Sequence, residues 1–135
     1  MAALPTEPVA AHTILIVEDH ERTREVVRDW LSFVFPSFRL LEAGNGEEAL
    51  RMAVQHQPEI VLMDVEMPGM KGIEATRRLK LALPSANVVV LSIYSAPEYR
   101  SAAAAAGAVA YVTKNTMHQE LVPTLVGLLG LNGAH

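Results

Sequence analysis

Residues 60–69 read IVLMDVEMPG, in which four apolar residues end in the carboxylate of Asp64 and a Pro-Gly turn follows. A short apolar run that is bounded by turn residues indicates a buried strand of a parallel sheet. The carboxyl end of such a strand lies at the edge of the sheet where α/β folds bind their ligands. Taken alone, Asp64 fits equally well as an ordinary turn residue, because Asp is common in turns.

The composition narrows the class of protein. The chain has 135 residues, of which 50% are hydrophobic, so it is long enough and apolar enough to fold as one domain. The absence of cysteine excludes a disulfide framework, a zinc–thiolate site and a thiol nucleophile. The formal net charge of −4 argues against a basic nucleic-acid-binding surface. Because no apolar run has the length of a membrane span and no signal-peptide pattern is present, we expect a cytoplasmic protein without a membrane partner.

Apolar runs and helix-forming segments alternate along the chain. The predicted strands cover residues 13–17, 39–43, 60–64, 87–92 and 109–112. The predicted helices cover residues 20–35, 45–57, 73–83 and 97–106, with a last helix from Thr116. This alternation predicts a parallel sheet with helices on both faces, because each right-handed crossover places its helix on one side or the other.

Two helix starts carry capping signals. Glu48 follows Asn45 by three residues, and Gln119 follows Thr116 at the same spacing, as in a capping box. Pro123 falls inside the last helix. Since an interior proline costs about 3 kcal/mol, we expect a kink or a late helix start there.

Polar residues end or closely follow four of the strands, and a parallel sheet brings all of these strand ends to one edge. They are Glu18 with Asp19, Asp64, Ser92 and Lys114. Carboxylates are hard oxygen ligands that suit Mg²⁺, and a metal ion would remove the repulsion between neighbouring acids. One carboxylate could then attack phosphorus and form an aspartyl phosphate. The transition-state charge would be neutralised by the metal, the Lys114 ammonium and the Ser92 hydroxyl.

This combination resembles the receiver domain of two-component response regulators. The matching residues are the Glu18-Asp19 pair, Asp64 with Met67-Pro68-Gly69, Ser92, and Tyr111 three residues before Lys114. The stretches ILIVEDH at residues 14–20 and MPGMKGIEA at residues 67–75 are most similar to the NarL/FixJ (LuxR-type) branch.

The resemblance implies a fold and a division of the chain. The fold is α/β, a flavodoxin-like (CheY-like) doubly wound five-stranded parallel sheet, (βα)5, with strand order 2-1-3-4-5. We expect a flexible leader at residues 1–12, the receiver domain at residues 13–129 and a C-terminal tail at residues 130–135.

The resemblance also implies how the acidic residues act. Asp64 would be the phosphoacceptor. The metal, Mg²⁺ or Mn²⁺, would be held by Asp19, by Asp64 and by the backbone carbonyl of Glu66. Glu18 would act on the metal through water. His20 follows the acidic pair and could touch the site, although a surface loop is the expected position.

The remaining expected roles concern the phosphoryl group and the response to it. Lys114 and Ser92 would bind the phosphoryl group. Ser92 and Tyr111 would form a switch that biases the face made by the fourth helix, the fifth strand and the fifth helix. Ile93, Glu66 and Tyr94 would shape access to the site, and the bulk of Ile93 predicts slow loss of the phosphoryl group.

One departure from the family pattern concerns the loop after Lys114. Many members have a proline there, often after a cis peptide bond, whereas this chain has Asn115. A cis bond before a residue other than proline costs about 2.5–4 kcal/mol, so the geometry of this loop is left open.

The implied function is signalling rather than enzymatic turnover of a substrate. The chain would take its phosphoryl group from a sensor histidine kinase or a phosphotransfer protein and would catalyse only its own phosphorylation and dephosphorylation. DNA would be contacted only through a separate or removed output domain, so the chain is either a single-domain regulator or the receiver half of a longer protein.

Apolar residues spread over more than one face of the last helix also suggest a homodimer through the fourth-helix–fifth-strand–fifth-helix face. They are Leu121, Val122, Leu125, Val126, Leu128 and Leu129.

Two other functions compete with this one. A Mg²⁺-dependent phosphohydrolase of the haloacid-dehalogenase type also uses an Asp nucleophile, but it usually needs a second Asp two residues later, where this chain has Glu66. A degenerate receiver would act only as a binding module, against which the presence of Asp64 and Lys114 argues. Turnover of small phosphomonoesters would favour the enzyme, and failure to take up a phosphoryl group would favour the binding module.

Overall fold

Five parallel strands form the centre of the structure, a computed structural model that describes residues 12–131. They are β1 (Thr13–Val17), β2 (Arg39–Ala43), β3 (Ile60–Asp64), β4 (Asn87–Ser92) and β5 (Ala110–Thr113). Their order, β2-β1-β3-β4-β5, confirms the predicted order 2-1-3-4-5. Residues 1–11 of the predicted leader and residues 132–135 of the predicted tail lie outside the described residues.

Five helices cover the two faces of this sheet. They are α1 (Glu21–Val34), α2 (Gly46–His56), α3 (Gly72–Ala82), α4 (Pro97–Ala106) and α5 (Met117–Leu129). One core cluster joins α1 and α5 to the face that carries Ile14 and Ile16. The other joins α2, α3 and α4 to the face that carries Leu15 and Val17. The alternation of the two sets along β1 follows from the period of two in a strand, and the predicted two-sided covering of the sheet is confirmed.

The central strand explains why residues 60–64 have the strongest signal in the sequence. Every residue of β3 is buried, because β1 and β4 flank it and helices cover both its faces. The first four strands have the predicted bounds. The fifth strand begins and ends one residue later than predicted, because Thr113 pairs with Ser92 at the end of β4 while Val109 precedes the strand.

The two predicted capping boxes have different outcomes. The side chain of Asn45 accepts a hydrogen bond from the Glu48 N–H at 2.8 Å, as predicted, although the Glu48 carboxylate accepts from the N–H of Gly44 rather than from that of Asn45. The second box is wrong, because the Thr116 side chain makes no capping hydrogen bond. Its hydroxyl lies 2.8 Å from the hydroxyl of Thr113, which competes for it.

The last helix runs through Pro123 without a late start. Helix α5 begins at Met117 and ends at Leu129, with Pro123 on its exposed side. Leu121 and Leu125 are buried. The other four predicted surface-forming apolar residues pack, partly buried, against the core shared with α1. Most of the apolar surface of α5 therefore packs against the core of the molecule. Across residues 12–131, no helix combines the length and the apolar character that crossing a bilayer requires.

Candidate functional site

The carboxyl ends of β1, β3 and β5 bring three charged side chains into contact. The ammonium Nζ of Lys114 lies 2.8 Å from Oε1 of Glu18 and 3.0 Å from Oδ1 of Asp64. Glu18 and Asp64 are among the few buried charged residues, with 4% and 5% of their surface exposed. Two buried carboxylates thus share one ammonium group, at the edge of the sheet where the sequence predicted a site.

A cavity of about 130 Å³ opens beside this cluster. Its lining contains five of the predicted site residues, Asp64, Glu66, Ser92, Ile93 and Lys114, together with His20 and Val65. The side chain of Glu66 is exposed and lies 3.4 Å from Nζ of Lys71, so it flanks the cavity entrance. Ile93 is 67% exposed, which places an apolar side chain on the same rim.

The loop after β3 is held tightly against the strand end. The N–H of Gly72 donates to the carbonyl of Val65 at 2.9 Å. A Cβ atom at Gly72 would lie only 2.0 Å from the backbone oxygen of Asp64, so no residue with a side chain fits without a backbone shift. Gly69, with φ of +75°, makes the turn that returns the chain to this contact. The glycines therefore fix the backbone that presents Asp64 and Glu66.

The loop after β1 presents three potential metal ligands together. One ligand atom from each of Glu18, Asp19 and His20 lies within 4.8 Å of the other two. His20 Nδ1 is 3.4 Å from Oε2 of Glu18 and 3.5 Å from Oδ1 of Asp19, although its side chain is 75% exposed. His20 is therefore exposed, as expected, and it also lies at the site. Its position directly after the acidic pair in the sequence could indicate this.

One buried oxygen indicates whether these residues fit a divalent cation. Oδ1 of Asp19 is buried and has no hydrogen-bond partner among residues 12–131, since the 3.5 Å contact with His20 Nδ1 is not a hydrogen bond. A buried carboxylate oxygen without a partner is costly unless a cation or a donor satisfies it. Together with the oxygen donors of Glu18 and Asp64, this atom gives the hard ligand set that Mg²⁺ or Mn²⁺ prefers, so the residues fit the expected metal.

The shared ammonium group has opposite effects on the two buried carboxyls. Burial, and after it the negative charge of Glu18, raises the pKa of Asp64 to about 6, against the opposing effect of Lys114. Burial would also raise the pKa of Glu18, but the hydrogen bond and charge of Lys114 outweigh it and the pKa is lowered. Burial disfavours the charged form of Lys114, yet its bonds to Glu18 and then to Asp64 raise the pKa of Lys114. The cluster therefore keeps Glu18 and Lys114 ionised and makes Asp64 the carboxyl that titrates.

The predicted switch residues, Ser92 and Tyr111, both bind the same third residue. The Oγ of Ser92 accepts a hydrogen bond from the N–H of Tyr94 at 2.9 Å. The hydroxyl of Tyr111 donates to the carbonyl of Tyr94 at 2.6 Å. The Tyr94 ring stacks on Tyr99 of α4 with ring centroids 4.5 Å apart. Tyr94 therefore links both switch residues to α4, and sequence reasoning missed this link because backbone groups leave no signal in side-chain identity.

The loop after β5 also has a definite geometry. No cis peptide bond occurs within residues 12–131, so the bond between Lys114 and Asn115 is trans. The N–H of Lys114 donates to the carbonyl of Ser92 at 2.7 Å, which continues the β4–β5 pairing beyond the strands. Lys114 reaches the site from this extension, and the question left open by Asn115 is answered in favour of the ordinary peptide geometry.

Comparisons with known proteins show what this chain is similar to. A family model described as the response regulator receiver domain matches residues 14–126. The transcriptional regulatory protein YhcZ of Bacillus subtilis is 41% identical over 115 residues, which cover 82% of this chain and 52% of that protein. The chain thus spans about half the length of this curated relative.

Solved structures show the same similarity. A LuxR-family two-component response regulator from Aurantimonas sp. is 32% identical and has a TM-score of 0.83, covering 92% of this chain and 89% of that one. The response regulator TrrA of Thermotoga maritima, solved in complex with Mg²⁺ and BeF, is 31% identical with a TM-score of 0.77. That comparison covers 87% of this chain and 98% of the TrrA chain.

Proposed function

Because the chain belongs to the response regulator receiver domain family, we propose that it accepts a phosphoryl group on Asp64 in a Mg²⁺-dependent reaction. The donor would be a sensor histidine kinase or a phosphotransfer protein. One observation carries the proposal: Lys114 bridges Glu18 and Asp64 beside a buried Asp19 oxygen that has no hydrogen-bond partner among the described residues. The receiver domain would cover residues 13–129 and act in the cytoplasm.

The ligand set follows from the side chains and backbone around Asp64. Asp19, Asp64 and the backbone carbonyl of Glu66 would hold Mg²⁺ or Mn²⁺, and Glu18 would act through water. When bound, the metal would supply positive charge to the carboxylates and to the phosphoryl oxygens. Asp19 supports this assignment because its buried Oδ1 has no hydrogen-bond partner within residues 12–131, and Glu66 supports it through its position on the cavity lining.

The phosphoryl transfer itself is a displacement at phosphorus. An ionised oxygen of Asp64 would form the new P–O bond while the bond from phosphorus to the donor's imidazole nitrogen breaks, and the imidazole keeps that electron pair and takes up a proton. Lys114 would move from Asp64 toward a phosphoryl oxygen, a short shift because its ammonium already lies 3.0 Å from Oδ1 of Asp64. Ser92, on the cavity lining, would bind another phosphoryl oxygen.

The response to the phosphoryl group would pass through Tyr94. If the Ser92 hydroxyl turns to the phosphoryl group, it gives up the hydrogen bond from the Tyr94 N–H. The carbonyl of Tyr94 is bound by Tyr111, so the two switch residues bias the same loop. A cleft of about 200 Å³ between α4 and β5 is lined by Tyr111, by Arg100 and by small side chains, and it would change shape with Tyr111. The affected face is α4–β5–α5.

The partners of this face follow from the same proposal. A second copy of the chain would dock on the α4–β5–α5 face after phosphorylation, and contact with DNA would be made by a separate output domain, as the relatives' description as transcriptional regulators suggests. Light scattering with and without beryllofluoride tests the homodimer, because a monomer in both conditions contradicts it.

The two rival functions have less support. Glu66 occupies the position of the second acid that a haloacid-dehalogenase-type enzyme needs, but its side chain is exposed and pairs with Lys71. The proposed receiver therefore catalyses only its own phosphorylation and dephosphorylation. A degenerate binding module would not need the buried Lys114 bridge, which is costly to assemble from three charges.

The test is intact mass after incubation with Mg²⁺ and acetyl phosphate, for the wild type and Asp64→Asn. We expect one added phosphoryl group on the wild type, and none on the variant or in the presence of a chelator. If no adduct forms, titration with beryllofluoride separates fast hydrolysis from an inactive site. Saturable beryllofluoride binding would support the receiver, and its absence would leave the binding module as the better reading.

A further inference from the structure

A second ionic network lies between α1 and β2, next to the acidic pair. Nε of Arg24 lies 2.9 Å from Oε1 of Glu42, and Nη1 of Arg28 lies 2.7 Å from Oε2 of the same carboxylate. Each oxygen of Glu42 is thus bound by a different arginine. We call these three residues the Arg24–Arg28–Glu42 network.

Arg24 differs from Arg28 in a further contact, which reaches the acidic pair. Its Nη1 donates to the backbone carbonyl of Glu18 at 2.7 Å. That carbonyl belongs to the peptide unit between Glu18 and Asp19. The guanidinium is planar, so the bonds to Glu42 and to Glu18 have a fixed relative direction. Arg24 therefore holds this peptide at a set position relative to β2, whereas Arg28 makes its further contact with Asp29.

The same residue of the acidic pair is also held from the other side. The N–H of Glu18 donates to the carbonyl of Ala43 at 3.1 Å, which continues the β1–β2 pairing. Both backbone groups of Glu18 are therefore tied to β2, one directly and one through Arg24. Rotation of the peptide between Glu18 and Asp19 would break the Arg24 contact.

The orientation of this peptide decides where the two carboxylates point. In the held position, Glu18 reaches Lys114 at 2.8 Å, and Oδ1 of Asp19 is buried without a hydrogen-bond partner among the described residues. A rotated peptide would turn the Asp19 carboxylate away from this position.

We infer that Arg24 is a positioning residue that orients the Glu18–Asp19 peptide for the divalent cation and thereby sets the affinity for Mg²⁺. The inference rests on the proposed function of the site. Within residues 12–131, the side-chain hydrogen bonds of Arg24 go to Glu42 and to the Glu18 carbonyl and not to Asp64, Lys114 or the cavity lining, so Arg24 acts on cation binding and not on phosphoryl transfer once the cation is bound.

The network keeps its charges at neutral pH. Burial would raise the pKa of Glu42, but the hydrogen bonds and charges of Arg28 and Arg24 outweigh it and the pKa is lowered. Glu42 therefore stays ionised at neutral pH, and Arg24 keeps its ion pair with this residue of β2.

The experiment compares Mg²⁺ affinity, measured by calorimetry without any phosphodonor, in the wild type, Arg24→Ala and Arg28→Ala. Loss of a residue that orients a metal ligand typically weakens metal binding about 10–100-fold, and we expect this for Arg24→Ala. Arg28→Ala is the matched control, because it removes a bond to the same Glu42 carboxylate without touching Glu18, and it should keep the wild-type affinity. At saturating Mg²⁺, Arg24→Ala should reach the wild-type extent of phosphorylation by acetyl phosphate.

A conservative variant guards against a general folding defect. In Arg24→Lys, one ammonium cannot hold both Glu42 and the Glu18 carbonyl in the fixed geometry of a guanidinium, so we expect an intermediate Mg²⁺ affinity with a thermal midpoint near that of the wild type. If Arg24→Ala does not fold, wild-type affinity in Arg24→Lys overturns the inference, and intermediate affinity supports it.

The outcomes separate this inference from the proposed function. Unchanged Mg²⁺ affinity in Arg24→Ala, or an equal loss in Arg28→Ala, overturns the positioning role while normal phosphorylation of the wild type leaves the receiver function intact. Conversely, a wild type that binds Mg²⁺ but takes up neither phosphoryl group nor beryllofluoride refutes the receiver function, and a selective loss of Mg²⁺ binding in Arg24→Ala still supports the role of Arg24.

Discussion

Two charge clusters in this molecule have opposite compositions. At the site, two carboxylates, Glu18 and Asp64, share the single ammonium of Lys114. On the outer side of α3, two guanidinium groups, those of Arg77 and Arg78, share the single carboxylate of Glu74. The carboxylate side chains of the site cluster are 6% and 7% exposed, whereas the side chains of the α3 cluster are 40–57% exposed.

The difference shows what burial does to a surplus charge. Water hydrates the surplus positive charge of the α3 cluster, so that cluster has little effect on folding in either direction. The surplus negative charge of the site is buried away from water. Burial, and after it the charge of Glu18, therefore raises the pKa of Asp64 to about 6. A group that supplies positive charge to the site would relieve this conflict. The same feature that weakens the folded state therefore prepares the site for a cation.

The largest expected effect comes from removing the shared ammonium. Lys114→Met leaves two buried carboxylates without a cation, and breaking a buried ion pair in this way costs about 3–5 kcal/mol. We expect this loss in the free energy of unfolding at pH 8 in the presence of a chelator. The loss should be smaller at pH 5, where Asp64 is protonated, because its pKa is already about 6 in the wild type and rises further without Lys114.

The matched control for this variant is Lys71→Met. Lys71 is exposed and lies 3.4 Å from Glu66 on the neighbouring loop. Its removal should change stability by less than about 1 kcal/mol, as for other exposed pairs. Equal losses in the two variants, measured by urea denaturation, would contradict the contrast between buried and exposed charge.

The next effect has the opposite sign and depends on pH. The pKa of Asp64 is raised from 3.8 to about 6, so between these values the folded state binds this proton more tightly than the unfolded chain. The free energy of unfolding therefore falls as the pH rises through this window. Asp64→Asn has no charge to bury, and it should be more stable than the wild type at pH 8 by up to about 3 kcal/mol.

The stabilisation by Asp64→Asn should largely disappear by pH 3, below the ordinary pKa of 3.8, where Asp64 is protonated in both states. Urea denaturation at pH 8 and at pH 3, with a chelator present, measures the difference. A gap of the same size at both pH values would mean that the extra stability comes from packing and not from the buried charge. A wild type that is more stable than the variant at pH 8 would refute the assignment of Asp64 as the buried carboxyl with the raised pKa.

The site cluster also shows which features the sequence could predict. Asp64 ends a fully apolar run, and a parallel sheet must bring the ends of β1, β3 and β5 to one edge, so the meeting of Glu18, Asp64 and Lys114 followed from topology. The fold was predicted almost completely for the same reason, since buried strands have continuous apolar runs. The roles of these residues in phosphoryl transfer stay predictions.

The features that were missed depend on pairings between distant segments. Glu42 faces α1 because β2 pairs with β1 in the register that places Ile16 opposite Glu42. The hydrogen bond from Arg24 to the Glu18 carbonyl could not be predicted either, because no short-range sequence pattern indicates a bond to a backbone carbonyl. Thr116 matched a capping box, but the Thr113 hydroxyl bound it instead. Local patterns thus failed where a tertiary neighbour offered a competing hydrogen bond.

A smaller effect is expected at the rim, where the buried cluster meets water. Ile93 is 67% exposed and lines the cavity with Asp64, so its side chain would hinder the water that hydrolyses the phosphorylated Asp64. We expect Ile93→Ala to lose its phosphoryl group severalfold faster, which corresponds to about 1 kcal/mol of activation free energy. Phosphate release after removal of acetyl phosphate measures the rate. Phosphate release no faster than in the wild type would contradict the proposed shielding, and Leu81→Ala, at an exposed residue of α3, serves as the control.

The smallest effect is expected in the α3 cluster. Glu74→Ala removes both ion pairs with Arg77 and Arg78 at once, yet all three side chains are exposed to water. Exposed pairs of this kind contribute little in water, so the total loss should be far smaller than that of Lys114→Met. The two arginines lower the pKa of Glu74, so the small loss of stability should be present at pH 7 and should vanish as the pH falls and Glu74 is protonated.

High salt should also remove this loss, because salt screens exposed charges. Urea denaturation in low and high salt measures both the size and the screening. A loss as large as that of Lys114→Met, or one that salt does not reduce, would mean that the number of ion pairs and not their burial decides the cost, which would break the comparison.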